Sequence, residues 1–215
     1  MDVATHLLLG ACVAQIPRTS TGKSSQALSF WHRSLIGGLV AVFPDIDYLL
    51  FFIHPLDFLA YWHRAETHSL LLAPLWALLV ARLWGLHAKF SVHRVTTFWI
   101  SLLSILSHIV SDTLTSYGTQ WFAPFSDIKV SWNLLFVVDG YFSLSMLIVF
   151  CWLYLKQKHA VRHLVFLLPL SYLALVAGVK YSAKNRLINL DDKLMAKSPF
   201  FFVAATIFPL LLASD

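Results

Sequence analysis

His108 and Asp112 lie four residues apart in an apolar run, 95–116, that is long enough to cross a bilayer. Four residues is about one helical turn, so both side chains leave the same helix face roughly 6 Å apart. An imidazole and a carboxylate are costly in hydrocarbon, which makes such a pair a site candidate by default. Taken alone, the pair reads either as half of a metal site or as a hydrogen bond between helices. What decides between them is whether other groups of the same chemistry converge there.

Several do. His6 sits in the first apolar segment, and Phe43-Pro44-Asp45-Ile46-Asp47 ends the second. The loop His63-Arg64-Ala65-Glu66-Thr67-His68-Ser69 follows, and Asp139 opens a later segment. Imidazoles mixed with carboxylates suit Zn²⁺ or another borderline divalent ion, and there are too few thiols for a thiolate site. Pro44 ends a helix, so Asp45 and Asp47 would be presented from irregular backbone, which is tolerated at depth only where it lines a cavity. Thr67 and Ser69 flank His68 and could orient it, while Arg64 could hold an anionic group such as phosphate.

Each element also has a plainer reading. His6 is a ligand or a helix-packing histidine, and the two aspartates of FPDID line a cavity or end a helix in solvent. His63 is a site residue or an interfacial one. Asp139 is a ligand or a helix cap, and Glu66 joins it at the margin of the candidate set. His32, His54, His87, His93, His159 and His163 fall in loops or at segment ends and read as ordinary interfacial residues.

These residues need a scaffold, and composition says which. The chain has 215 residues, 58% of them hydrophobic and 13% charged, with a mean hydropathy of +0.70. Soluble domains carry about 25% charged residues, so this is the profile of a polytopic membrane protein. The fold expected is all-α, a transmembrane helical bundle. Seven apolar segments can be drawn: 3–16, 34–53, 68–86, 95–116, 134–155, 163–179 and 199–213. The first and last are short of the ~20 residues that a span needs. The polar stretch 180–198 marks a shift in composition, and the domain division expected is 1–155 for the metal-site part and 156–215 for the rest.

The formal charge of +5 reads as an orientation signal rather than as nucleic-acid binding, since no basic helix interleaved with aromatics occurs. If every segment crosses, Arg18, Lys23, Arg33, Lys89, Arg94, Lys156, Lys158 and Arg162 share one side. Through residue 133 the other side holds Arg64 and Lys129. The positive-inside rule then puts the candidate residues toward the exterior, although 180–198 falls on the wrong side under that topology. Cys12 and Cys151 both lie in apolar runs and read as thiols rather than a disulfide. Leu9-Gly10-Ala11-Cys12 looks superficially like a lipoprotein cleavage box, but MDVATH before it has no basic start, so cleavage is not expected.

Thr5-His6, FPDID at 43–47, HRAETHS at 63–69, His108-x-x-x-Asp112-x-x-Thr115-x-x-Gly118, Pro124-Phe125 and Asp139 together resemble a bacterial family. It is the membrane-bound, metal-dependent hydrolases of the YdjM/YbcI type, also labelled LexA-regulated inner-membrane hydrolases. The resemblance covers roughly residues 1–145. The order His, Asp, His, His-x-x-x-Asp is also similar to that of the zinc-dependent phospholipase C and S1/P1 nuclease group. That likeness implies His6, Asp45, His68, His108 and Asp112 as metal ligands. No His-x-x-x-Glu follows residue 112, so a full three-metal site is not expected.

The reading is a multi-pass protein of the bacterial inner membrane with a divalent metal site, Zn first among candidates, opening toward the periplasm. It would hydrolyse a phosphoester, with a phospholipid or an isoprenoid phosphate as the substrate expected from the depth of the site. Asp47 would be general base or second-metal ligand, Arg64 a phosphate clamp and His63 a further catalytic group. Two other classes use the same residues: a transporter passing divalent cations or protons, and a non-catalytic membrane protein whose polar network holds helices together.

Overall fold

The computed structural model describes residues 1–17, 28–86, 93–156 and 164–197, with side chains through Ile188. The segment 199–213, the histidines His87, His159 and His163, and the cations Arg18, Lys23, Lys89, Lys158 and Arg162 lie outside the described residues. Chain contacts group into two units, Met1–Tyr172 and Leu173–Asp215.

The first unit is helical, as the hydropathy pattern requires. Helix α1 spans Val3–Val13 and α2 spans Phe30–Val42. A 3₁₀ helix over Phe43–Phe52 continues α2 directly. Short turns follow at Pro55–Asp57 (α3), Phe58–Trp62 and Glu66–His68. Then come α4 (Ala73–Trp84), α5 (Arg94–Thr113) and α6 (Gly140–Leu155). Helix α7, Leu167–Lys197, begins in this unit and supplies the helix of the second. No strand occurs among the described residues, only isolated bridges at Thr115–Leu135 and Thr119–Val130.

Three stretches are long and apolar enough to cross a membrane: Phe30–Phe52, Arg94–Thr113 and Leu164–Ile188. A fourth is available if Pro55–His68 and Ala73–Trp84, bent by 70°, form one broken span. The segment drawn at 3–16 yields a helix of 11 residues and the one at 134–155 a helix of 16, both shorter than a straight span needs. The second shortfall has a physical cause. Leu134 and Leu135 both donate backbone N–H to the Leu114 carbonyl (2.7 and 2.9 Å), so this apolar stretch pairs with the exit from α5 rather than coiling. The helix begins only where the Asp139 carboxylate accepts the Phe142 N–H at 2.9 Å and caps it.

Helix α5 is the central element, in contact with α1, α2 and α4. Its apolar positions Ile100, Ile105 and Ile109 are sealed in a core with Ala14, Ile36, Val40, Ala73, Ala77 and Val80. The opposite faces stay apolar and exposed (Trp31, Leu35 and Leu39 on α2, Leu75, Leu79 and Leu83 on α4), which suits lipid contact. Helices α1 and α2 cross at Gly10 and Gly37. A Cβ built on either glycine would meet the other's carbonyl oxygen at 2.2 and 2.4 Å, so only glycine allows this approach. Arg33, counted above as a loop cation, is buried in α2. It donates to the Ala14 carbonyl at 3.0 and 2.7 Å and to the Pro17 carbonyl, which ties off the C-terminus of α1.

Candidate metal centre

The last turns of α5, the FPDID turn and the 63–69 loop meet at one buried point. His108 and Asp112 leave α5 on one face as the spacing requires, and the Asp112 carboxylate lies 3.3 Å from His108 Nε2. Pro44 changes the winding from α to 3₁₀, and the two aspartates of that turn then straddle one ring. Asp45 Oδ1 is 3.6 Å from His68 Nε2, and Asp47 Oδ2 is 3.7 Å from His68 Nδ1. Asp45 Oδ1 is also 3.6 Å from His108 Nε2. His68 Nε2 is 2.9 Å from His108 Nε2 and 3.4 Å from Asp112 Oδ2.

Asp45, His68, His108 and Asp112 thus offer two nitrogens and two oxygens within 4.8 Å of one another, and all but Asp45 are buried. For metal–ligand bonds of about 2.0–2.1 Å, the edge of a tetrahedron is about 3.3–3.4 Å. Five of the six pairs, at 2.9–3.6 Å, bracket that edge, and the sixth, Asp45 with Asp112, lies within 4.8 Å. The supporting bonds also point the right way. His108 Nδ1 donates to the Ala41 carbonyl at 2.5 Å, which leaves the Nε2 lone pair facing the cluster. His68 Nδ1 meets the Thr67 hydroxyl at 2.9 Å, with Asp47 behind it, which favours the same tautomer. In that tautomer the two Nε2 lone pairs, 2.9 Å apart, repel unless a cation lies between them, whereas the other tautomer of His68 makes the contact an N–H···N hydrogen bond. Among the described residues, Asp112 Oδ2 and His6 Nε2 are sealed from solvent with ion-pair contacts but no aligned hydrogen bond, which leaves them able to take a further partner. The residues fit a divalent ion.

His6 stands at the edge of this group. Its Nε2 is 3.2 Å from Asp112 Oδ1, its ring stacks on His108 at 3.8 Å, and Ser111 Oγ meets its Nδ1 at 3.3 Å. The four-residue donor set closes without it. Arg64 is buried, with its backbone in the left-handed region (φ 62°). Its Nε lies 3.0 Å from Asp112 Oδ2, and its Nη1 donates to Thr115 Oγ1 at 3.1 Å. The guanidinium therefore already neutralises a ligand carboxylate. His63 Nδ1 and the Arg64 N–H both bond Asp47 Oδ2, at 3.2 and 2.9 Å.

The marginal candidates fall elsewhere. Asp139 caps α6 and accepts the Tyr172 hydroxyl at 3.0 Å on both oxygens. Glu66 is exposed, and its carbonyl holds the Trp76 indole N–H at 3.0 Å. Ser69, flagged as a helper of His68, instead donates to the Trp121 and Ala123 carbonyls at 3.2 and 2.7 Å and fixes the start of α4. Three participants had no sequence signal: the Met1 amino group seated on Asp112, the Ala41 carbonyl, and Tyr117, whose ring lies under Lys129 Nζ (4.3 Å) and Arg64 (5.2 Å). Beside this end of the chain, burial raises the carboxyl pKa of Asp2, but its bonds from the Thr5 hydroxyl and N–H outweigh that and hold it below the ordinary value.

The profile of the YdjM inner membrane protein family matches residues 1–186. The chain is similar to the uncharacterized protein YfhP of Bacillus subtilis (strain 168), 26% identical over 149 residues, covering 68% of this chain and 44% of that protein. It is also similar to the inner membrane protein YbcI of Escherichia coli (strain K12), 28% identical over 151 residues, 66% of this chain and 79% of that one. The chain thus spans less than half the length of YfhP. No solved structure matches it.

Proposed function

The chain belongs to the YdjM inner membrane protein family, and on that premise we propose that it is a metal-dependent hydrolase of a phosphoester, working at the external face of the membrane. The observation that carries this reading is the closure of Asp45, His68, His108 and Asp112 into one buried donor set beside the Arg64 guanidinium. Asp45, His68, His108 and Asp112 would hold the ion, and the donor chemistry suits Zn²⁺. A bound divalent ion supplies a Lewis acid that polarises a phosphoryl oxygen and lowers the pKa of water. His6 and Arg64 hold Asp112 in place, and Ala41 and Thr67 set the histidine tautomers. A phospholipid or an isoprenoid phosphate is the substrate class that a site at this depth would meet. An outward-facing site, on the periplasmic side of a multi-pass chain, is the orientation that the Lys/Arg count supports.

The test is phosphate release from vesicles carrying phosphatidic acid or an isoprenoid phosphate. Zinc-loaded wild type should turn over, while chelated protein and His108→Ala should not. Absence of turnover by loaded wild type on either would contradict the reading.

One observation favours transport as a second reading. Thr97, Ser101 and Ser104 continue the His108 face of α5, fully or almost fully buried, with hydroxyls that find no hydrogen-bond partner among the described residues. A polar line through an apolar helix suits the passage of protons or ions. Flux of Zn²⁺ or protons in proteoliposomes, abolished by Ser104→Ala, would support it.

A further inference from the structure

His63 and Asp47 adjoin the metal donor set without closing it. His63 is 5% exposed, and its Nδ1 lies 3.2 Å from Asp47 Oδ2. An ionised carboxylate only accepts, so the proton of that bond sits on Nδ1 and Nε2 is left with its lone pair. Asp47 is itself fixed, since the same oxygen accepts the Arg64 backbone N–H at 2.9 Å.

The surroundings of His63 are unlike those of the ligand histidines. Three rings wall it: Tyr48 and Phe58 at 4.8 Å and Tyr117 at 5.1 Å between centroids. Tyr117 is held by its hydroxyl, which donates to the Leu59 carbonyl at 2.7 Å. Among the described residues His63 Nε2 makes no hydrogen bond, yet it is not among the polar atoms sealed from solvent. The His63 ring lies 6.2 Å from that of His68, with Asp47 Oδ2 between their Nδ1 atoms at 3.2 and 3.7 Å. A side chain that was only packing would not need a carboxylate behind it, aromatic walls around it and an open nitrogen in front.

We propose that His63 is the catalytic residue that carries the proton, and that Asp47 is its positioning residue rather than a base or ligand in its own right. This rests on the hydrolase reading above. As the oxygen of the attacking water bonds to phosphorus, His63 Nε2 takes a proton from that water. As the bond from phosphorus to the leaving oxygen breaks, the same proton passes from Nε2 to that oxygen. The products are an alcohol and a phosphate; no electrons change hands and no other reactant is consumed. Asp47 and the electron-rich rings stabilise the imidazolium between the two transfers.

The experiment compares zinc-loaded wild type, His63→Ala, His63→Gln and Asp47→Asn on two probes in detergent micelles. One probe is 4-nitrophenyl phosphate, whose leaving group needs no proton, and the other is dodecyl phosphate, whose leaving group does. His63→Ala should lose about 10²–10⁴-fold on dodecyl phosphate and far less on 4-nitrophenyl phosphate, with zinc content unchanged. Added imidazole should restore part of the loss in His63→Ala and none in Asp47→Asn. His63→Gln, which keeps volume and polarity, should fail as His63→Ala does. Wild-type rates in the His63 variants, or equal losses on both probes accompanied by loss of zinc, would overturn the role of His63 alone. An idle wild type on both probes would remove the hydrolase reading and this inference with it.

Discussion

Asp112 gathers the site. Its two oxygens face His6, Arg64, His68, His108 and the Met1 amino group, all buried. Asp112→Asn keeps the shape and removes the charge, so Arg64 is left buried without its counterion. Losing one partner of a buried pair costs about 3–5 kcal/mol. The expected result is zinc content at background and a lowered thermal midpoint, read by elemental analysis and a melt in detergent. Asp139 separates capping from ligation. Asp139→Ala should cost about 1 kcal/mol through the lost cap, with zinc content unchanged. Much of this scale was legible. Two histidines and two aspartates at short spacings, in hydrocarbon, already had to converge on something. The supporting contacts were not legible, because a carbonyl such as that of Ala41 carries no side-chain signature and Arg64 needed the left-handed backbone at its own position to reach Asp112.

At the scale of elements, two devices aim the ligands. Pro44 converts the end of α2 into a 3₁₀ turn, so Asp45 and Asp47 reach opposite nitrogens of His68. The Gly10–Gly37 crossing brings α1 close enough for His6 to stack on His108. Gly37→Ala puts a methyl group 2.4 Å from the Gly10 carbonyl oxygen, backbone that cannot step aside without parting the helices. Overpacking of this kind costs about 1–3 kcal/mol, and the expected outcome is a lower melting midpoint together with weaker zinc retention during dialysis. Gly178→Ala, with open space around it, should change neither. The apolar segments foretold the helices but not all their limits. Residues 134–138 are apolar enough to extend α6, yet the Leu134 and Leu135 N–H groups find the Leu114 carbonyl, a non-local pairing that hydropathy cannot register.

For the whole molecule, the outstanding quantity is which way the site faces. The proposed outward orientation rests on a Lys/Arg count in which Arg33 proves to be a buried helix tie rather than a loop charge. In a Cys151→Ser background, Glu66→Cys offers an exposed thiol beside the site, while Cys12 is buried. A membrane-impermeant maleimide should label that thiol in intact spheroplasts, and labelling only after lysis would place the site on the cytoplasmic side. Beneath topology, chemistry and substrate lies one claim, that Asp45, His68, His108 and Asp112 hold a metal. Elemental analysis of purified protein tests it most directly. Wild type should carry about one divalent ion per chain after dialysis, and His108→Ala and Asp112→Ala should carry almost none while eluting as the same folded species. Wild type without stoichiometric metal, indistinguishable from the two variants, would contradict the claim.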